Sequence, residues 1–192
     1  MNFNKKTRGL LAVGLLCTSL LLSGCSNDVD SQFIFGKNRI HCDDQTITIT
    51  TPFELISNGE QVDLGARNAS KVNAEGHNNH MQIIVVGDQS TVKHNETTLT
   101  AEALNMLKNN ESVTNLKEKA EEVIINGIHA KLLTFSFTET GRGQSTDLTV
   151  KEYIFTQNDT VWRVIYQYRT NDPTGKELTD KVAGQIILGS NF

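Results

Sequence analysis

The hydrophobic pattern opens with one long apolar run. Leu10 to Leu22 is almost wholly apolar, and Lys5, Lys6 and Arg8 stand ahead of it without an acid. The run is about 13 residues, the length of a signal-peptide core and short of the ~20 that a membrane-spanning helix needs. Ser26 to Gln32 is then polar and acidic, which suits a tether. Phe33, Ile34 and Phe35 interrupt it, either as a first short strand or as a patch lying on the folded body, and the domain is placed from residue 33 onward.

Thr46-Ile47-Thr48-Ile49-Thr50 alternates strictly, which predicts a half-buried strand with both isoleucines on one face; Pro52 stops it. Asn58-Gly59 predicts a turn. Gln61 to Asn79 is polar with little periodicity and reads mostly as loop, with a short strand near Ser70 to Asn73. Met81 to Val86 is a continuous apolar run ending at Gly87-Asp88, the pattern of a central strand buried on both faces. A helix is predicted from an N-cap at Thr100, with Ala103, Leu104 and Leu107 on one face and Asn109-Asn110 as the stop.

The C-terminal half is rich in strand patterns. Asn126-Gly127 separates Val123-Ile124-Ile125 from Ile128 to Leu133, and a type I′ turn favours this dipeptide because both central positions need positive φ. Gly141-Arg142-Gly143 predicts the next loop. A second hairpin joins Leu148–Thr156 to Val161–Arg169. Its second arm places Trp162, Val164, Tyr166 and Tyr168 on one face, and Arg163, Ile165, Gln167 and Arg169 on the other. After Pro173 a final helix is predicted, with Thr174 and Glu177 at capping-box spacing, Leu178, Val182 and Ile186 on its apolar face, and Gly189 as its stop. The order of elements gives an α+β class: a mostly antiparallel β-sheet with two main helices packed on it.

Composition narrows the function classes. The chain has 22 acids against 18 bases, a formal net charge of −4. If residues 1–24 leave as a leader, 168 of the 192 residues remain; three bases go with it, so the charge becomes −7. That acidity argues against nucleic acid and against electrostatic attachment to anionic lipid, since both need basic patches. The remaining length suits one domain with a real core. Of the three cysteines, Cys17 leaves with the leader and Cys25 heads the mature chain. Cys42 is then the one thiol of the domain, expected as a small buried hydrophobe, and an intramolecular disulfide has no second partner.

Leu22-Ser23-Gly24-Cys25 resembles the lipobox of bacterial lipoproteins, with leucine three before the cysteine and small residues between. The resemblance implies cleavage between Gly24 and Cys25 and lipid on the Cys25 sulfur. It divides the chain into a signal peptide (1–24), a lipidated tether (25–32) and a domain (33–192). Two or more acyl chains make such an anchor durable, so the expected localisation is the bacterial cell envelope, lipid-anchored on the extracytoplasmic side. Ser26 is not the aspartate that commonly retains lipoproteins at an inner membrane, which favours the outer membrane in a cell that has two.

The domain itself resembles PsbP-like domains. The carriers are Ile47-Thr48-Ile49-Thr50-Thr51-Pro52-Phe53-Glu54-Leu55, Ile125-Asn126-Gly127-Ile128-His129-Ala130, and two long strands, the second bearing Trp162 and Tyr166, ahead of a final helix. That fold includes bacterial envelope lipoproteins of the DcrB kind. The resemblance implies a non-enzymatic interaction module with a protein partner in the envelope, and it supplies no catalytic residues.

Candidate chemistry is sparse. His77-Asn78-Asn79-His80 offers two imidazoles near Glu75, ligand types for zinc or copper. An i, i+3 pair works best on a helix, however, and this context reads as loop, so surface histidines are the plainer reading and no metal or other cofactor is assigned. His41-Cys42-Asp43-Asp44 is also ligand-like, but neighbours in an extended strand point to opposite faces. No Gly-x-Ser-x-Gly, His-Glu-x-x-His or phosphate-binding glycine loop occurs, and no catalytic residue is named. Trp162, Tyr166 and Tyr168 are candidates to line a ligand or partner groove, with core packing the competing use. The expectation is a lipid-anchored, non-catalytic protein-interaction module; a small-molecule or metal-binding lipoprotein is the alternative.

Overall fold

The computed structural model describes residues 28–57, 61–62, 70–141 and 143–189. The cleavage and lipidation positions Gly24 and Cys25, and the Asn58-Gly59 turn, lie outside them. Residues Val29–Gln32 form a short helix, α1. A compact unit begins at Phe33, and no strand forms over Phe33, Ile34 and Phe35.

The chain runs β1 (Gly36–Cys42), β2 (Gln45–Thr51), β3 (Gln61–Val62), β4 (Ser70–His77), β5 (Met81–Gln89), α2 (Glu96–Lys108), β6 (Val113–Ile125), β7 (Ile128–Gly141), β8 (Gln144–Gln157), β9 (Thr160–Arg169), α3 (Pro173–Val182) and β10 (Ile186–Leu188). Among the described residues the strands form a seven-stranded antiparallel sheet in the order β3-β4-β5-β9-β8-β7-β6 and a three-stranded one in the order β1-β2-β10. The fold is α+β, mostly antiparallel strand with two substantial helices.

Turn chemistry explains the long β6–β9 ribbon. Asn126 and Gly127 sit at φ +46° and +84° between β6 and β7, the two positive values that a type I′ turn demands. Gln157 pairs with Thr160, so the β8–β9 turn is the two residues Asn158-Asp159, with Asn158 at φ +51°. These tight turns fix register, and register decides which side chains share a face.

One face of the large sheet packs against α2. Leu99 and Ala103 of the helix are buried against Leu133, Phe135, Val150, Ile154 and Ile165. The opposite face packs against α3 and the small sheet. There Gly87 lies so close to Trp162 and Cys42 that a Cβ would sit 2.8 Å from each. Strand β9 lies between the two layers and is buried on both faces along most of its length.

Several elements differ from the sequence expectation. Helix α2 starts at Glu96, with Asn95 rather than Thr100 as N-cap: Asn95 Oδ1 accepts from the N–H of Thr97 and Thr98, and Thr98 Oγ1 accepts from the N–H of Asn95 at 2.9 Å. Strand β4 spans Ser70–His77, longer than the predicted stretch in a segment read mostly as loop. Asp172, not Thr174, caps α3, with Pro173 in the first turn. The helix ends at Val182, because Gly184 takes φ +82° and turns the chain back; Ile186 and Ile187 then pair with Ile49 and Thr48 as strand β10 instead of extending the helix.

Candidate functional site

Of the charged residues on the hairpin β8–β9, Glu152 and Arg163 are buried. Arg163 lies opposite Ile154, and Glu152 is two residues along β8 on the same face, the diagonal relation within reach of long side chains. The Arg163 Nε–H donates to Glu152 Oε1 at 2.5 Å, with the two side chains only 5% and 4% exposed. This face is the one covered by α2, so the ion pair forms the polar floor of a cavity beneath that helix.

The cavity is about 210 Å³. Its roof is Ala103, Met106 and Leu107 of α2; its walls include Phe135, Phe137, Leu148, Val150 and Ile165; Asn110, Glu139 and Gln167 stand among its polar lining. A guanidinium offers five N–H donors in a planar fork, and Glu152 takes the Nε edge. A concave, mostly apolar space with a few convergent polar groups is the usual form of a small-molecule site.

A second depression, open and about 380 Å³, lies over the β4–β5 turn and is lined by His77, His80, Gln82, Gln167, Tyr168 and Arg169. His80 is committed within the fold: its Nδ1–H donates to Asp172 Oδ2 at 2.9 Å, and the Phe33 ring meets it edge-on at 5.9 Å. Burial pushes the Asp172 carboxyl up, but the Gly175 N–H and the His80 ring outweigh it and hold the group below its usual range. Arg169 Nη2 donates to the Asn79 carbonyl oxygen at 2.8 Å and pins the turn. The depression is wide and polar, with no buried charged group at its base.

The proposed aromatic groove takes a different form. Trp162 and Tyr166 are fully buried between the large sheet and the layer of α3 and the small sheet, so they line no groove. Burial also pushes the Tyr166 phenol far above its ordinary value. Tyr168, last on that face of β9, borders the open depression. His77 pairs with Gln82 at the end of β4 and lines the same depression as His80. Among the described residues no group of three or more His, Cys, Asp or Glu side chains converges on a metal-sized space. At the β1–β2 turn, His41 faces Thr46 Oγ1 at 3.0 Å while Cys42 is buried.

Arg163 and Glu152 escaped attention in the sequence, although a usable signal was present. Arg163 interrupts the apolar run Val161-Trp162-Arg163-Val164-Ile165, Glu152 stands next to Lys151 at the head of Tyr153-Ile154-Phe155, and a two-residue turn at Asn158-Asp159 brings the two onto one face of adjacent strands. Charges inside strands buried on both sides are rare unless paired.

No family model matches the sequence, and no curated protein matches it. Solved structures do resemble it in fold. LpqN, described as involved in cell envelope biogenesis of Mycobacterium tuberculosis, aligns over 85% of this chain and 96% of its own at TM-score 0.50 and 14% identity. A Pseudomonas aeruginosa protein of unknown function, PA94, aligns over 78% of this chain and 94% of its own at TM-score 0.45 and 15% identity. At 14% identity the likeness to LpqN is one of fold.

Proposed function

We propose that this chain is a lipid-anchored, extracytoplasmic module of a bacterial envelope, and that it binds a small molecule in the cavity beneath α2 instead of catalysing a reaction. The lipobox-like Leu22-Ser23-Gly24-Cys25 supports the anchor; the PsbP-like and DcrB-like sequence features, together with the LpqN fold likeness, support an envelope setting. The observation that carries the binding reading is the Arg163–Glu152 pair at the base of an apolar cavity. A buried ion pair adds little to stability, and apolar replacements are often neutral or stabilising. A ligand head group that uses the pair gives it a purpose.

Native mass spectrometry of the full-length protein taken from its own membranes tests the site. A small-molecule adduct is expected on the natural chain and none on Ala103→Leu, which fills the roof of the cavity; adducts of equal abundance on both would remove the reading. The anchor is tested separately: Cys25→Ala is expected to abolish labelling by a fatty-acid analogue, and persistent labelling would sink it.

A protein partner is the second reading, favoured by the free edge of β6. This 13-residue strand is the last of the large sheet among the described residues and carries Lys117, Glu118, Lys119, Glu121 and Glu122 exposed. An edge of that length is open to a complementary strand. A photo-crosslinker at Ala120 in living cells is expected to trap a discrete product, and its failure to do so counts against this reading.

A further inference from the structure

Resting on the proposed binding site beneath α2, we infer that its ligand is a small neutral amphiphile, one ring or a short branched chain bearing a hydroxyl or amide head, which enters head-first onto the Arg163–Glu152 pair. Size is the first constraint. The cavity of about 210 Å³ exceeds an apolar cavity of about 150 Å³ that accepts benzene. It therefore holds a six-membered ring and a few further heavy atoms within the protein, and anything larger must extend into solvent.

Charge is the second constraint. Arg163 is already balanced by Glu152 at 2.5 Å, and Glu139 adds a further acid to the lining. The site carries no surplus positive charge, so a carboxylate or phosphate would be desolvated without a counterion to receive it. A cation seated on the pair would meet a carboxylate that Arg163 has already neutralised, and Glu139, the other acid of the lining, is exposed to water. A neutral group that both donates and accepts fits the pair on its own terms: it accepts from a guanidinium N–H and donates to a carboxylate oxygen, each a charge-assisted bond. The walls set the orientation, since Phe135, Val150 and Ile165 offer an apolar head nothing that they do not offer the tail.

Methionine supplies the readout. Met106 lines the roof of the cavity, whereas Met81 is buried on the opposite face of the sheet, paired with Tyr168. The full-length chain in nanodiscs, labelled with ¹³C-methyl methionine, is titrated with benzyl alcohol, benzylammonium and benzoate. Benzyl alcohol is expected to shift Met106 saturably and to leave Met81 in place, with the two charged probes at least about tenfold weaker. The double variant Arg163→Met/Glu152→Leu, which keeps the volume but removes the head site, is expected to weaken benzyl alcohol about tenfold. Ala103→Leu is expected to abolish the Met106 shift. Benzoate or benzylammonium binding as tightly as the alcohol overturns the neutral-head inference while leaving the pocket standing. If none of the three probes moves Met106, the pocket itself falls, and this inference with it.

Discussion

Arg163 and Glu152 are worth more as a pair than either is alone. Both side chains are nearly sealed from water, so removing one leaves a buried charge without a partner, at a cost of about 3–5 kcal/mol. Replacing both with apolar residues of similar volume removes that cost. Glu152→Ala is therefore expected to lower the urea midpoint sharply, while Arg163→Met/Glu152→Leu is expected to hold or raise it; equal losses in the two variants would contradict the pairing. Asp172 is a different kind of charge. Its carboxyl is held below the usual carboxylate range by the Gly175 N–H and His80 against the effect of burial. A depressed native value means that its contribution is present above about pH 4, the unfolded value, and is lost as pH falls through the folded one. Asp172→Asn keeps a capping oxygen and removes the proton-binding step, so the acid limb of the stability-against-pH curve is expected to flatten, as read by circular dichroism.

At the scale of elements, legibility followed the strength of the local signal. Asn126-Gly127 was readable because its turn has a backbone requirement that few dipeptides meet, and the alternation of Thr46 to Thr50 was readable because one face of β2 is buried. The start of α2 was not. Thr97, Thr98 and Thr100 are β-branched and weak helix formers, which hides an N-cap at Asn95 whose partner is Thr98 instead of the acid usual at that position. Asn95→Ala is expected to cost about 1 kcal/mol and to raise hydrogen exchange over the first turn of α2, with β6–β9 unchanged. Strand β10 failed for another reason: Ile186, Ile187 and Leu188 are too few to distinguish a strand from the end of a helix by period, and pairing with β2 decides the matter. The site was hidden by the same logic. Trp162 and Tyr166 drew attention as large aromatics, yet the face they share is the one that the second layer covers, and the cavity lies on the face behind them.

Across the whole molecule, the long β6 edge raises the question of self-association. Exposed strand edges template pairing with other chains, and charged side chains along them discourage it. Lys117, Glu118, Lys119, Glu121 and Glu122 mix both signs along one strand, so an identical edge meets like charges in several registers, while a complementary strand need not. Lys117→Val/Lys119→Val/Glu121→Val is expected to produce concentration-dependent association by light scattering without loss of the monomer fold. The fold class was legible from the order of elements; the layering, with α2 on one face of the large sheet and α3 and the small sheet on the other, depended on long-range pairings that no local pattern encodes.

The floor and the roof of the cavity come from different pieces of chain. Its polar floor comes from a single hairpin, β8–β9, in which Glu152 and Arg163 are 11 residues apart, and its roof comes from α2. The head site and the roof over the tail are thus written in separate stretches of sequence. Changes at Met106 and Leu107 can retune the size of what is accepted while the floor keeps its demand for a particular head, and changes at Glu152 and Arg163 can alter the head while the roof stays as it is. Such a layout lets specificity drift one property at a time, without passing through a form that recognises nothing.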